Sequence, residues 1–252
     1  MIHYHGGPLS GPADSMSRFW RGRHAMVSFA WPDALPIVAE ACQSFALDNG
    51  AFSVWRSGRA FDFDGFAEWV QEWERHPGFD WCLIPDVIDG TEQDNDDMIL
   101  RWVQSGIARW NSVPVWHFHE SIGRLQSLAN RFRMVALGSS GQWPNPGAPD
   151  WWDRLADAIA NIADSQGRPW CKLHGLRMLN PSIFSRCPFA SADSTNAAQN
   201  AGGVNRFGMY PAPEAWQRAT VIADRIEAYN SAPVYLGPEL ISGEGLFAGV
   251  SA

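Results

Sequence analysis

Two aspartates sit in unlike short motifs, Asp48 in Leu47-Asp48-Asn49-Gly50-Ala51-Phe52 and Asp193 in Ser191-Ala192-Asp193-Ser194-Thr195, and each closes a short apolar run. Two carboxylates brought together from distant parts of a chain can divide a displacement reaction between them. One attacks carbon as a nucleophile and the other carries the proton of the leaving group. A third carboxylate, Asp86, follows Ile84-Pro85, with Asp89 a rival for its role, and histidines His117, His119 and His174 lie in or just after later apolar runs. Each residue also has a plainer reading. Asp48 suits the cap of an Asn-Gly turn, Asp193 suits a helix N-cap before Ser194-Thr195, Asp86 suits a turn, and the histidines suit a satisfied core.

The elements that would position these groups alternate along the chain. Apolar runs at 24–30, 44–52, 81–87, 113–118, 133–137, 170–176 and 189–194 read as strands. Between them, Phe66, Trp69, Val70 and Trp73 recur at helical spacing, as do Met98, Ile99, Trp102, Val103, Ile107 and Trp110, then Trp152, Leu155, Ile159 and Ile162, then Trp216, Ala219, Ile222, Ile226 and Tyr229. Asp94, Asp96 and Asp97 read as an acidic helix start that complements the helix dipole. Residues 141–150, with three prolines and Trp143, read as a loop. With a weak eighth strand at 207–210, the alternation predicts an α/β fold of one (β/α)8 TIM barrel over residues 1–236, followed by a C-terminal tail at 237–252. In such a barrel the strand ends converge on one mouth, where Asp48 and Asp193 would meet.

Composition narrows the function. The 252 residues, 46% hydrophobic and 18% charged, suffice for one substantial core. The four cysteines are widely spaced with no Cys-x-x-Cys, which predicts reduced thiols rather than a zinc knuckle or disulfide framework. There is no apolar run of about 20 residues and no basic-then-apolar N-terminal segment, so a cytoplasmic protein without membrane contact is expected. Glycine-rich dinucleotide and P-loop patterns are missing. A net charge of −8 argues against a protein that coats nucleic acid non-specifically. Local phosphate contacts remain open through Arg21, Arg23, Arg56 and Arg59, against the alternative of solvated surface arginines. Most of the 14 tryptophans recur at helical spacing and read as core.

The order of these motifs resembles the tRNA-guanine transglycosylase superfamily, most of all the short phage enzymes that place 7-deazaguanine bases into DNA. Asp48-Asn49-Gly50-Ala51-Phe52 is similar to the family's Asp-Ser-Gly-Gly-Phe/Tyr element, and Asp193-Ser194-Thr195 with Ala197, Ala198 and Gly202 to the element around its nucleophile. Between them, Ile84-Pro85-Asp86 is similar to the segment with a base-reading aspartate. Trp116-His117-Phe118-His119 falls where a glutamine contacts the base, Ala136-Leu137-Gly138 where backbone amides do, and Leu173-His174-Gly175 at a strand end lining the pocket. The resemblance spans about residues 44–203. It implies a TIM barrel with Asp193 as nucleophile, Asp48 as general acid and base, and Phe52, Asp86, His119, Gly138 and His174 around the base. It further implies DNA as substrate, 7-cyano-7-deazaguanine as the expected incoming base, and no cofactor or catalytic metal. The family's Cys-x-Cys-x-x-Cys and histidine zinc motif is missing from the sequence, and with it the tRNA-contacting subdomain.

Three alternatives stay open at the level of sequence. One is exchange on RNA. Another is a metal-dependent barrel hydrolase built on His3-Tyr4-His5, His117-Phe118-His119, His174 and Asp193, although the first His-x-His is expected to precede the first strand. The last is a non-catalytic barrel that binds a nucleobase or a partner protein. The sequence leaves the oligomeric state open.

Overall fold

The computed structural model describes residues 1–9, 11–107 and 109–238. Its elements run β1 (Ile2–Gly6), α1 (Ala13–Trp20), β2 (His24–Ser28), α2 (Leu35–Ala41), β3 (Ser44–Asp48), α3 (Ala51–Ser57), α4 (Phe63–Trp73), β4 (Phe79–Leu83) and α5 (Glu92–Gln104). They continue as β5 (Ser112–Val113), β6 (Val115–His117), α6 (Ile122–Arg131), β7 (Met134–Gly138), α7 (Pro149–Ala160), β8 (Lys172–Gly175), α8 (Pro181–Phe184), β9 (Ser191–Ser194), α9 (Asn196–Asn200) and α10 (Ala215–Glu227).

Every strand pairing is parallel, in the order β5-β4-β3-β2-β1-β9-β8-β7-β6. The two ends of that order are halves of one strand. Pro114, which has no N–H to donate, separates β5 from β6. On one side of it, Val113 accepts the Ile84 N–H at 2.8 Å, and Pro114 itself accepts the Ala136 N–H at 2.9 Å on the other. The sheet therefore closes as an eight-stranded (β/α)8 barrel.

The pleat sorts side chains by a period of two. Tyr4, Met26, Ala46, Trp81, Leu83, Val113, Val115 and Ala136 fill the barrel interior. Their neighbours Ala25, Val27, Phe45, Leu47, Val135 and Leu137 point outward under the helices and join the larger core. Helices supply the other half of that core through stripes such as Phe63, Phe66, Ala67, Trp69 and Val70 on α4. Helix starts follow local chemistry. Asp62 accepts the Gly65 N–H at 3.0 Å ahead of α4, and Thr91 with Asp94 forms a reciprocal capping box ahead of α5. The acidic start expected around Asp94 is thus a cap.

The eighth strand is not at 207–210, where Met209 and Tyr210 stand 83% and 89% exposed, but at Ile2–Gly6. Its apolar period is masked in the sequence because His3 and His5 take the outward positions. His3 Nε2 pairs with the Tyr229 carbonyl at 3.0 Å and His5 Nε2 with Glu227 Oε1 at 2.8 Å. The expected His-x-His before the first strand is therefore within it. Helices α1, α2, α3, α6 and α8 carry no helical stripe in the sequence reading, and Ile107, Trp110, Ile162 and Tyr229 fall just past the helices whose periodicity they share. Of the expected 237–252 tail, residues 239–252 lie outside the described residues. Among the described residues, no helix is long and apolar enough to cross a membrane.

Candidate functional site

Because all strands are parallel, their C-terminal ends share one mouth. Asp48 ends β3, His117 ends β6, Gly138 ends β7, Asp193 is the next-to-last residue of β9, and Asp86 follows β4. The chain leaves β3 through a tight turn at Asn49-Gly50. Gly50 has φ +75°, and a Cβ there would stand 3.1 Å from the Ala30 nitrogen, so glycine answers both demands. Asn49 locks the turn from within. Its Oδ1 accepts the Ala51 N–H at 2.8 Å, while Nδ2 donates to the Ile84 carbonyl at 2.9 Å and to Asp86 Oδ1 at 2.7 Å.

The two principal carboxylates have different surroundings. Burial pushes the Asp48 carboxyl up to about 6; the Ser28 hydroxyl and Gly50 N–H offset part of this, and the negative charges of Asp193 and Asp86 add to it. Asp48 is thus partly a turn-capping residue, through Gly50, and also a carboxyl poised to hold a proton near neutral pH. Asp193 is 9% exposed, and its Oδ1 accepts the Arg177 N–H at 2.8 Å and lies 3.3 Å from His174 Nε2. Both contacts fall on Oδ1, and Oδ2 has no hydrogen-bond partner among the described residues. The N-cap reading of Asp193 does not hold, since Thr195 occupies that position before α9. His174, fully buried one layer below, is itself fixed by Ser191 Oγ at 2.8 Å from Nδ1.

Arg177 is the one non-glycine residue with positive φ among the described residues, at +59°. Its conformation aims the N–H at Asp193 and sets the guanidinium 4.5 Å above the centre of the Phe52 ring. Phe52 also meets Trp55 at 5.6 Å and Arg56 at 5.9 Å, so α3 lays an aromatic and cationic rim over the mouth. Trp31, Trp55 and Val87, on the loops and helix after β2, β3 and β4, are exposed on the same rim.

Next to this rim, His117 Nε2 lies 2.9 Å from Asp86 Oδ2, a close contact whose angle misses hydrogen-bond alignment. Burial pushes the His117 pKa down, but the contact and charge of Asp86, with the charge of Glu120, outweigh it and raise the net value. Glu120 is buried beneath. It accepts the His117 N–H at 2.9 Å, an Asn95 Nδ2–H at 3.0 Å and an Arg124 Nη1–H at 2.7 Å. His119 is exposed on the rim, with Nδ1 2.8 Å from Ser140 Oγ, Nε2 3.1 Å from the Gly90 carbonyl, and its ring stacked on His117 at 5.6 Å.

The structure therefore brings Asp48, Asp193, Phe52, Asp86, Gly138 and His174 together at or just below one mouth, with His119 at its edge. Asp89 instead accepts the Trp55 indole N–H at 2.5 Å. Of the four arginines expected at phosphates, Arg56 lies in the last turn of α3 and Arg59 just past its end, in the connection that leaves the mouth end of β3. Arg21 and Arg23 do not belong there: α1 runs antiparallel to the strands and delivers them to the opposite end, where Arg23 is paired with Asp224 and Glu227. His3 and His5 face the outer helices rather than the mouth, which removes them from the metal-hydrolase constellation. Asn49, Glu120 and Arg177 were not singled out in the sequence. The Asn-Gly turn and the Glu120-x-x-x-Arg124 spacing were the available signals for the first two. The one lysine of the chain, Lys172, sits exposed at the far end of β8, so no amine is available at the mouth for Schiff-base chemistry.

No family model matches the chain, and no curated protein matches it. Among solved structures, the chain is similar to the YdjI aldolase from Escherichia coli K12, with 12% identity over 91% of each chain and a TM-score of 0.51. It is also similar to a mutant tryptophan synthase alpha-subunit from the hyperthermophile Pyrococcus furiosus, with 14% identity over 90% of this chain and 97% of that one and a TM-score of 0.49. At such identities the likeness to the aldolase speaks for the TIM-barrel fold alone.

Proposed function

We propose that this barrel is an enzyme, a DNA guanine transglycosylase that exchanges guanine for a 7-deazaguanine base through a covalent Asp193 adduct. The observation that carries the reading is the pair at the mouth: Asp48, pushed by burial to a pKa of about 6, and Asp193, whose Oδ1 is anchored and whose Oδ2 has no hydrogen-bond partner among the described residues. The motif order around these two aspartates, and an aromatic-arginine rim suited to an extruded nucleotide, support the same chemistry.

The reaction balances on these groups. Asp193 Oδ2 attacks C1′ of the deoxyribose from the face opposite the base, the C1′–N9 bond breaks, and its electron pair leaves on guanine. Protonated Asp48 gives guanine its proton, which avoids release of a poor leaving anion. The 7-deazaguanine then enters, ionised Asp48 takes its N9 proton, and N9 attacks C1′ to displace Asp193. Two inversions give net retention. Arg177 and Phe52 form a lid edge beside the sugar, and His174 positions Asp193.

The test is to mix the protein with a guanine-containing oligodeoxynucleotide, without incoming base, quench in denaturant and measure intact mass and peptide map. A protein–DNA adduct on the Asp193 peptide, lost in Asp193→Asn, is expected. An adduct on another residue, or an undiminished adduct in Asp193→Asn, would overturn the assignment.

A further inference from the structure

The guanidinium of Arg177 reaches the Phe52 ring from the far side of the barrel. Arg177 follows β8 and Phe52 follows β3, and in the closed sheet those strands stand four places apart, half of the eight-stranded circuit. The 4.5 Å contact between guanidinium and ring centre therefore crosses the mouth. One end lies beside Asp193, which accepts the Arg177 N–H at 2.8 Å, and the other lies four residues past Asp48. The contact is kept at a cost, because φ +59° strains a residue that carries a side chain. Nor does the charge meet a carboxylate. Among the described residues neither Arg177 nor Arg56, whose guanidinium lies 5.9 Å from the centre of the same ring, has a salt-bridge partner, whereas Arg23, Arg101 and Arg124 each do.

Resting on the transglycosylase reading, in which Phe52 lies against the base, we propose that the Arg177 side chain is a latch across the mouth and that a phosphodiester of the incoming DNA strand opens it. In the free protein the guanidinium covers a ring face that a base would use. A phosphodiester is the stronger partner, since it carries a full negative charge and two oxygens that a guanidinium can meet as a bidentate pair. An exposed cation–π contact gives little by comparison. Once Arg177 turns to the strand, Phe52 is uncovered beside Asp193 at the moment a nucleotide has arrived. The N–H that holds Asp193 belongs to the main chain, so the side chain can turn without loosening the nucleophile. Arg56, carried on α3 with Phe52, keeps a positive charge beside the ring when Arg177 leaves it. The latch also sets the substrate class: a polynucleotide opens it, and a free nucleoside, which has no phosphate, does not.

Two probes of opposite sensitivity test this in the unaltered protein, Arg177→Gln and Arg177→Lys. One is a single-stranded, guanine-containing oligodeoxynucleotide, followed by fluorescence anisotropy over a salt series. The other is 2′-deoxyguanosine, followed by calorimetry. Arg177→Gln should bind the oligonucleotide about tenfold more weakly, with a slope of log affinity against log salt shallower by about 0.7, the value for one phosphate on a single strand. The same variant should bind the nucleoside up to about fivefold more tightly, because the ring is uncovered. Arg177→Lys keeps the charge, so it should hold the salt slope and bind the oligonucleotide within about threefold of the parent. Arg177 is exposed, and circular dichroism should show the same fold in all three proteins. An unchanged salt slope in Arg177→Gln, nucleoside affinity that does not rise, or an Arg177→Lys that behaves like Arg177→Gln would overturn the latch while the Asp193 adduct stands. If the unaltered protein binds no oligonucleotide, the exchange reading falls and the latch with it.

Discussion

Replacing Asp48 by Asn should stabilise the protein above neutral pH while removing its activity. The folded-state pKa of about 6 lies above the carboxyl's ordinary value of 3.8, so the folded chain holds a proton there that the unfolded chain has released. Stability contributed by that proton is complete below about pH 4 and is lost as pH rises through 6. The difference of about 2.2 units corresponds to at most about 3 kcal/mol by pH 8, at about 1.4 kcal/mol per unit. Asparagine carries no charge to desolvate and keeps an oxygen for the Gly50 N–H and Ser28 hydroxyl, so it recovers most of that amount. For a domain of this size the midpoint should rise by roughly 6–10 °C at pH 8. Differential scanning calorimetry at pH 4 and pH 8 reads both arms, and the gap between variant and parent should close almost entirely at pH 4. A variant that is no more stable at pH 8, or whose offset is the same at both pH values, would refute the claim that burial holds a proton on Asp48.

Other perturbations follow from the same geometry. If Asp48 must be protonated for the first step, kcat/KM for the DNA should fall about tenfold per unit above pH 6, and a profile flat to pH 8 in initial-rate assays would contradict this. Glu120→Ala removes the buried partner of Arg124, which keeps Asp96 and the Val115 carbonyl, and releases the His117 N–H, and a loss of about 3 kcal/mol in urea unfolding is expected. Gly141→Ala combines φ +59° with a Cβ placed 2.7 Å from His119 Cβ, whereas Gly106→Ala has φ +82° and nothing within 4 Å. Both should destabilise, the second by about 1–2 kcal/mol and the first by clearly more; equal losses would show that His119 yields freely. Arg177→Gly should relieve its backbone by about 1 kcal/mol yet slow exchange, a split visible by comparing the thermal midpoint with turnover.

What the sequence disclosed depended on whether a signal was local. Asp48 and Asp193 were legible because each ends an apolar run, and parallel strands carry such ends to one place. The split strand was legible as one run, 113–118, whose first half pairs with β4 and whose second half pairs with β7 on either side of Pro114. Strand Ile2–Gly6 was hidden because its outward positions hold histidines, whose partners Tyr229 and Glu227 lie over 220 residues away. Arg23 misled for the same reason: its aromatic neighbours suggested a nucleic-acid surface, while Asp224, which neutralises it, is remote in sequence. Nor could spacing show which histidine of His117-Phe118-His119 turns inward. Two residues apart they would share one strand face, and what separates them is that β6 ends at His117, which meets Asp86. Arg177 gave no signal at all, since its role comes from a backbone angle.

The account is tested most directly by incubating the protein with guanine-containing DNA, and separately with tRNA, together with 7-cyano-7-deazaguanine, then digesting to nucleosides and reading them by mass spectrometry. A 7-deazaguanine deoxynucleoside formed by the unaltered protein and not by Asp193→Asn is the predicted result. Product on RNA alone would contradict the DNA assignment, and product undiminished in Asp193→Asn, or none on either nucleic acid, would contradict the exchange chemistry.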